Sequence, residues 1–530
     1  MTHLNKGRYI GPFWGSSNNY STGRDPLGLQ STSQAAYSIL LPGLTNLTNR
    51  LRYYGFYCWL LDEYDSRINK QNYKKQNQFI RRAEYMIALI MNIHSPDSLQ
   101  ISGSKFAASE LKKLNDDDFY DLAFGADLDD EKHTYWKYPS GAFGQYYAGA
   151  MQTIGLISNV DGFLDFMCTK RDDVDVIDGT SLSMAFSKSI NVELKDLFIK
   201  NILDGRLYKR DSKALFDAFS IDFITPKSEE WVLYNKMLFS IDFPTRQNFY
   251  KGSCFRKDSI EIILSYINDC VDPKKWRFFL YEIYHRKGED HRNIKTDASI
   301  GWYYYQLNEF WHYGLEIIFW AVLTSLSKDY FAVSVNDFLN DFVNRIISNF
   351  KKNNLISDDN EILSSVIDKN SISDEFAIIN AFQKAKKIDD IDSAIILGFK
   401  LLFKIFKSNN SKFDDLNLFG ISYEMERDGD FVNGLNVFSS FSDISFSDFL
   451  RQFLLKNIIN RHLDVAYRKM GSGLENSLKF NFEDNLLKHI ETVEPVWTSP
   501  RLFALYSFFK DLSFVDRSGC LTSIGKEVIE

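Results

Sequence analysis

Asp178, Glu193 and Lys195 are the residues whose types come nearest to a hydrolytic metal site. Magnesium-dependent nucleases of the restriction type set an aspartate beside a Glu-x-Lys triplet, so that the carboxylates hold the ion and the lysine steadies the attacking water. That chemistry needs adjacent strands. Here the triplet stands in SLSMAFSKSINVELKDLF, whose apolar spacing predicts a helix. A helix turns Glu193 and Lys195 to opposite sides. A second ionisable group, HRKGEDHR, carries His285, Glu289, Asp290 and His291, followed by Asp297. Two imidazoles and two carboxylates suit a hard or borderline metal. Their spacing differs from H-E-x-x-H, and Gly288 breaks the helix that would put them on one face. The stretch reads as a charged interhelical loop. Asp116 to Glu131 holds eight acids and no base, without the alternation of a calcium loop, and reads as a solvated loop. Neither a G-x-x-x-x-G-K-[ST] phosphate loop nor a G-x-S-x-G nucleophile elbow occurs, and no cofactor is implied.

Cations offer the alternative to catalysis. Residues 1–60 hold five Lys or Arg, among them Arg24, Arg50 and Arg52, against the single acid Asp25. Lys170 with Arg171, Arg501 and Arg517 could join them in a stripe that meets DNA or a partner protein. The whole chain carries a net charge of −8, so no global positive field draws it onto nucleic acid or anionic lipid. A helix over 501–511 would show Arg501, Ser507, Lys510 and Asp511 to a groove. Two bases and an acid make a poor reader of base edges, which favours a protein contact.

The elements that must carry these residues are mostly helices. Aromatics are 15% of the 530 residues, with 45 Phe and 28 Tyr but only 10 Pro, which favours long helices with aromatic seams over short strands and tight turns. A helix is expected over 45–65, with Leu51, Tyr54, Cys58 and Leu61 on its core face. WYYYQLNEFWHY, at 302–313, is apolar nearly all round and belongs in the centre of a helical body. Around 142–190 a helix ends at Gly155, extended segments are expected at 156–157 and 174–177, and a helix follows Gly179. The C-terminus repeats that order. Ser499-Pro500 reads as an N-cap and first helical turn, strands are expected at 514–515 and 521–522, and Ser523 caps a last helix. Helix, hairpin, helix is the order of a winged-helix unit.

The expected fold is therefore mainly α. It comprises a basic irregular arm (1–30), a helical domain ending in a winged-helix-like element (31–195), an aromatic-rich helical body (196–480) and a C-terminal winged-helix-like element (481–530). Five scattered cysteines without a C-x-x-C pair fit neither a zinc site nor a disulfide framework and suit a reducing cytoplasm. The polar N-terminus reads as no export signal. The apolar stretch 311–326 contains His312 and Glu316 and is short for a bilayer, so no membrane contact is expected.

The strings RDPLGLQSTSQAAYSILLPGLTNLTNRLRYYGFYCWLL (24–61), GAFGQYYAGAMQTIGLIS (141–158) and SPRLFALYSFFKDL near the end resemble a family of uncharacterised bacterial proteins found beside anti-phage defence genes. The resemblance brings no catalytic residues with it. It implies company, since such proteins tend to be non-catalytic partners of an ATPase or nuclease encoded alongside. An accessory subunit of an SMC-type ATPase complex of the Lamassu kind is similar in being large, helical and ended by winged-helix elements. The expectation is an accessory or scaffold subunit that binds a partner ATPase or effector, with double-stranded DNA as a further contact. The alternatives are a free-standing DNA-binding regulator or sensor and a metal-dependent nuclease.

Overall fold

The computed structural model describes residues 25–68, 72–98, 100–113, 117–128, 133–160, 164–171, 177–239, 255–270, 272–289, 296–425, 430–471 and 477–529. The protein is mainly helical, with a few short antiparallel strand pairs. Among the described residues no helix is long and apolar enough to cross a membrane. The chain divides into two compact units that alternate along the sequence. One unites Met1–Ala36 with Trp302–Thr498, and the other unites Tyr37–Gly301 with Ser499–Glu530.

The first unit is organised around the helix Asp297–Asp329, most of which lies in it. Every residue from 301 to 326 is buried, as the all-round apolar pattern requires. Its rings interleave with those of neighbouring helices. Tyr304 meets Phe431 at 4.8 Å, Phe310 meets Phe376 at 5.5 Å and Trp320 meets Phe382 at 5.7 Å between centroids, mostly edge to face, as ring quadrupoles prefer. Trp311 is accommodated by a missing side chain: a Cβ at Gly434 would lie 1.9 Å from its indole. Asp430 accepts from the Asn433 amide at 2.9 Å and starts the helix Phe431–Ser440. A three-stranded antiparallel sheet, Val333–Ser334, Leu486–His489 and Phe480–Glu483, edges this unit.

In the second unit the buried helix is Arg52–Arg67, where every residue from 52 to 61 is buried. It begins later than the sequence pattern suggests. Thr45 and Thr48 tie residues 45–48 into a turn, with the Thr45 amide 2.9 Å from Thr48 Oγ1. Tyr53, Phe56, Tyr57 and Trp59 then pack, tilted or edge to face, against Tyr147, Phe143, Phe186, Phe198 and Phe219. Two buried ionised-type side chains on the helix Tyr73–His94 hold the loop that follows the acidic stretch. Arg81 donates to the carbonyls of Ala126, Tyr138 and Trp136 at 2.6, 2.7 and 2.8 Å. Glu84 accepts from the Tyr57 hydroxyl, the Ala142 and Phe143 amides at 2.8, 2.9 and 2.6 Å, and also from the Tyr135 hydroxyl. Gly141, at φ +65°, brings the backbone against this carboxylate, with no room for a Cβ.

The acidic stretch is only partly a loop. Phe119–Asp121 pairs with Arg206–Tyr208, Asp121 caps the helix Leu122–Ala126, and Asp127 takes a two-pronged ion pair from Arg82 at 2.6 and 2.8 Å. In the helix, hairpin, helix segment the order is as expected, but the return strand is Phe166–Cys168, paired with Ile157–Asn159. It lies before Lys170 because Gln76 clamps Phe166, accepting from its amide at 2.9 Å and donating to its carbonyl at 2.8 Å. Of the expected strand at 174–177, residues 174–176 lie outside the described residues. At the C-terminus the helix Leu502–Asp511 is followed by a tight hairpin, Val515 against Leu521, and the helix Ser523–Ile529. The helix is not capped by Ser499, whose hydroxyl bonds Asn46 at 3.0 Å; Arg501 takes the capping position at φ 66°.

Gly434→Ala should lower the melting temperature of the first unit by several degrees, since overpacking costs about 1–3 kcal/mol. An unchanged melt would mean that Trp311 is not held in that slot.

Candidate functional site

Of the cations that the sequence singles out, most are spent inside the second unit. Arg52 is buried and meets Glu230 through Nε at 3.0 Å and through a second nitrogen at 3.3 Å, while also donating to the Ser220 carbonyl. Arg50 pairs with buried Asp511 at 2.7 Å, and the other Asp511 oxygen accepts from the Leu51 amide at 2.9 Å. Burial lifts the Asp511 carboxyl to about 6, against the opposing pull of Arg50. Arg501 donates to the Leu41 carbonyl at 2.7 Å and to Ser38 at 3.2 Å, and lies over the Tyr37 ring. Arg171 donates to the Gly155 carbonyl at 3.0 Å. Lys170 and Arg517 are exposed, and Arg24 lies outside the described residues.

The nuclease set does not come together as a site. Asp178 is buried as the N-cap of the helix Gly179–Lys188, accepting from the Ser181 amide at 2.7 Å and from the Arg171 amide at 2.7 Å. Glu193 is exposed in the first turn of the helix Val192–Asp204, and Lys195 donates to Ser187 at 2.7 Å. In the second ionisable cluster, His285 ends the helix Phe279–His285 and Glu289 is exposed after Gly288. Asp290 and His291 lie outside the described residues.

What the second unit does assemble is a basic and aromatic pocket on the C-terminal element. It has a volume of about 290 Å³ and is lined by Trp276, Arg277, Phe503, Tyr506, Lys510 and Arg517, together with Gln100, Ser507, Ser518 and Gly519. Trp276 and Tyr506 stack at 4.3 Å with their planes 7° apart, and Phe503 meets Trp276 edge-on at 5.1 Å. Phe503 is 57% exposed. Arg277 lies 5.7 Å from the Phe503 centroid and Lys510 lies 5.1 Å from that of Tyr506, both within cation–π reach. Among the described residues no carboxylate lines the pocket. The nearby Asp516 is turned into its own hairpin, accepting from the Ser518 and Cys520 amides at 2.8 and 3.0 Å. The sequence singles out Lys510 and Arg517 but not the four residues that complete the wall. Trp276 and Arg277 come from a distant stretch, and the exposed Phe503 and half-buried Tyr506 were hidden among the apolar spacings of the helix.

The first unit holds a different concentration of buried ionisable groups. Glu309 accepts from the Thr498 amide and hydroxyl at 2.9 and 2.7 Å, and Glu316 accepts from the Val496 amide at 2.8 Å and from Gln30 at 3.3 Å. The two carboxylates thus fix an extended strap, whose Trp497 stacks on Tyr313 at 4.2 Å. Burial raises Glu309 to about 7 and Glu316 to about 8, the latter helped by Asp25 and Glu309. His312 is fully buried, its Nε2 lies 3.7 Å from Glu309 and neither ring nitrogen has a hydrogen-bond partner among the described residues; burial lowers it to about 3 and it stays neutral. The sequence shows these residues only as polar interruptions of an apolar helix.

No protein-family model, curated protein or solved structure matches this chain.

Breaking the buried pair leaves an uncompensated charge, so Arg50→Met should destabilise the second unit by about 3–5 kcal/mol, and adding Asp511→Asn should recover much of that loss. Additive losses in denaturant melts would contradict the pairing. Glu316 binds its proton more tightly in the folded chain than in the unfolded one, so its contribution is full below about pH 4.5 and is lost as pH rises through about 8. Glu316→Gln should therefore gain stability relative to the parent between pH 5 and 8, by an amount on the order of a few kcal/mol. A pH-independent difference would refute the burial of an ionisable Glu316.

Proposed function

We propose that the protein acts by binding rather than by catalysis, as an accessory or scaffold subunit of a bacterial multi-protein defence complex in the cytoplasm. Its C-terminal element, read as winged-helix-like, is the recognition face for an anionic ligand or partner. The observation that carries this reading is the pocket. Arg277, Lys510 and Arg517 converge there with no ion pair to any described residue, on a wall of three aromatic rings. Arg50, Arg52, Arg171 and Arg501 are by contrast consumed by internal carboxylates and carbonyls. The three cations repel one another only weakly because they are exposed, and an anion placed among them would turn that repulsion into attraction. The order of helix, hairpin and helix at 148–188 and again at 502–529 supports the winged-helix description. The defence setting, and an ATPase or nuclease as the companion, rest on the resemblance of the 24–61, 141–158 and C-terminal strings.

Coexpression with the products of the neighbouring genes, followed by size-exclusion chromatography, tests the assembly. The expected result is a stoichiometric complex with an ATPase or nuclease. The complex should lose its ligand or partner contact when Arg277→Glu and Arg517→Glu are combined. A chain that elutes alone, with every neighbour product present and folded, would overturn the subunit reading.

A further inference from the structure

We propose that the pocket lined by Trp276, Arg277, Phe503, Tyr506, Lys510 and Arg517 holds an unpaired nucleotide of a single-stranded nucleic acid. The inference rests on the reading of this pocket as the protein's recognition site and names its ligand.

Size, wall and charge each narrow the choice. A volume of about 290 Å³ is at the low end for ligand sites, enough for one ring system and its phosphate. A carboxylate-rich peptide would use the three cations but leave the aromatic wall idle. A nucleotide uses both, because every base has a π-face and every linkage a phosphate. Phe503 offers the open ring face, while the stacked Trp276–Tyr506 pair backs it as a rigid wall. Arg277 and Lys510 sit beside the rings rather than far from them, so a phosphate attached to a stacked base falls within their reach. The Ser507 hydroxyl donates to Gln100 Oε1 at 3.1 Å, which leaves the exposed Gln100 amide nitrogen to meet a base edge.

A duplex fits less well. Its bases are stacked on one another and present only their edges, and the helix Leu502–Asp511 has few polar groups to read them. Arg501 and Asp511, the two charged residues at its ends, are both turned to internal partners. The chain's net charge of −8 also gives no broad footprint for phosphates on two strands. A small site with three local cations suits one strand entering one pocket.

The test is fluorescence anisotropy on the full chain with a labelled single-stranded oligothymidylate, the same sequence as a duplex, and a labelled acidic peptide containing phenylalanine. Single-stranded DNA should bind more tightly than the duplex or the peptide. Phe503→Ala should weaken it about 5- to 100-fold, as loss of one stacking contact does. Lys510→Ala should reduce the slope of log K against log salt by about 0.7, the loss of one phosphate contact on a single strand. Both side chains are exposed, and unchanged melting of the variants confirms that the fold is intact. Equal affinity for duplex and single strand, or single-strand binding indifferent to both substitutions, would overturn the assignment. If the peptide alone binds and the substitutions abolish its binding, the nucleotide is wrong and the recognition face stands. If no probe binds and the Arg277→Glu, Arg517→Glu pair leaves the native complex whole, both readings fall.

Discussion

Asp511 closes the second unit on itself. It is the last residue of the helix Leu502–Asp511, and its two oxygens are taken by the Arg50 guanidinium and by the Leu51 amide, at the start of the buried aromatic helix. One carboxylate therefore joins the end of one helix to the beginning of another across most of the sequence. Trp231 reinforces the seat by donating to the Leu512 carbonyl at 2.9 Å, and Tyr54 meets Phe508 edge to face. With Leu505, Phe508 and Phe509 turned into the core, Phe503, Tyr506 and Lys510 are left on the outer side of the helix. The pocket is thus a consequence of the internal contact. Removing the buried charge pair would disturb the pocket without touching it.

The same economy runs through the other buried charges. Arg81 and Arg256 have their guanidinium nitrogens on backbone carbonyls, and Glu84 has its oxygens on two amides and two phenols. These groups lose hydration on folding, and several directed hydrogen bonds offset that loss while fixing irregular chain between helices. His312 is the exception, neutral and without a hydrogen-bond partner among aromatic neighbours. In the first unit the carboxylates of Glu309 and Glu316 do for the 496–498 strap what Asp511 does for the C-terminal element.

The helical character was legible because it rests on local spacing and on a scarcity of breakers. The burial of residues 301–326 follows from aromatics placed at every angle of one helix. The C-terminal hairpin and last helix were also legible from the turn chemistry of Asp516 to Gly519, although the cap of that helix is Thr522, whose hydroxyl accepts from the Gly525 amide at 3.1 Å, and not the expected Ser523, which is the first helical residue. What local pattern does not contain is the partner of a charge. Arg50, Arg52 and Arg501 look like surface cations in a string, and only long-range contacts with Asp511, Glu230 and the Leu41 carbonyl make them internal. The pocket was half legible for the same reason. Lys510 and Arg517 stand close together in the chain, whereas Trp276 and Arg277 join them only through folding. The sheet formed by Val333–Ser334 with two late strands is likewise a product of sequence-distant pairing, with strands too short to leave a period.

Hydrogen–deuterium exchange on the native complex, compared with the isolated chain, tests most directly whether the C-terminal element is the recognition face. The expected result is slowed exchange in residues 502–519 and around Trp276 when the ligand or partner is bound. Unchanged exchange there, with new protection confined to other surfaces, would contradict it.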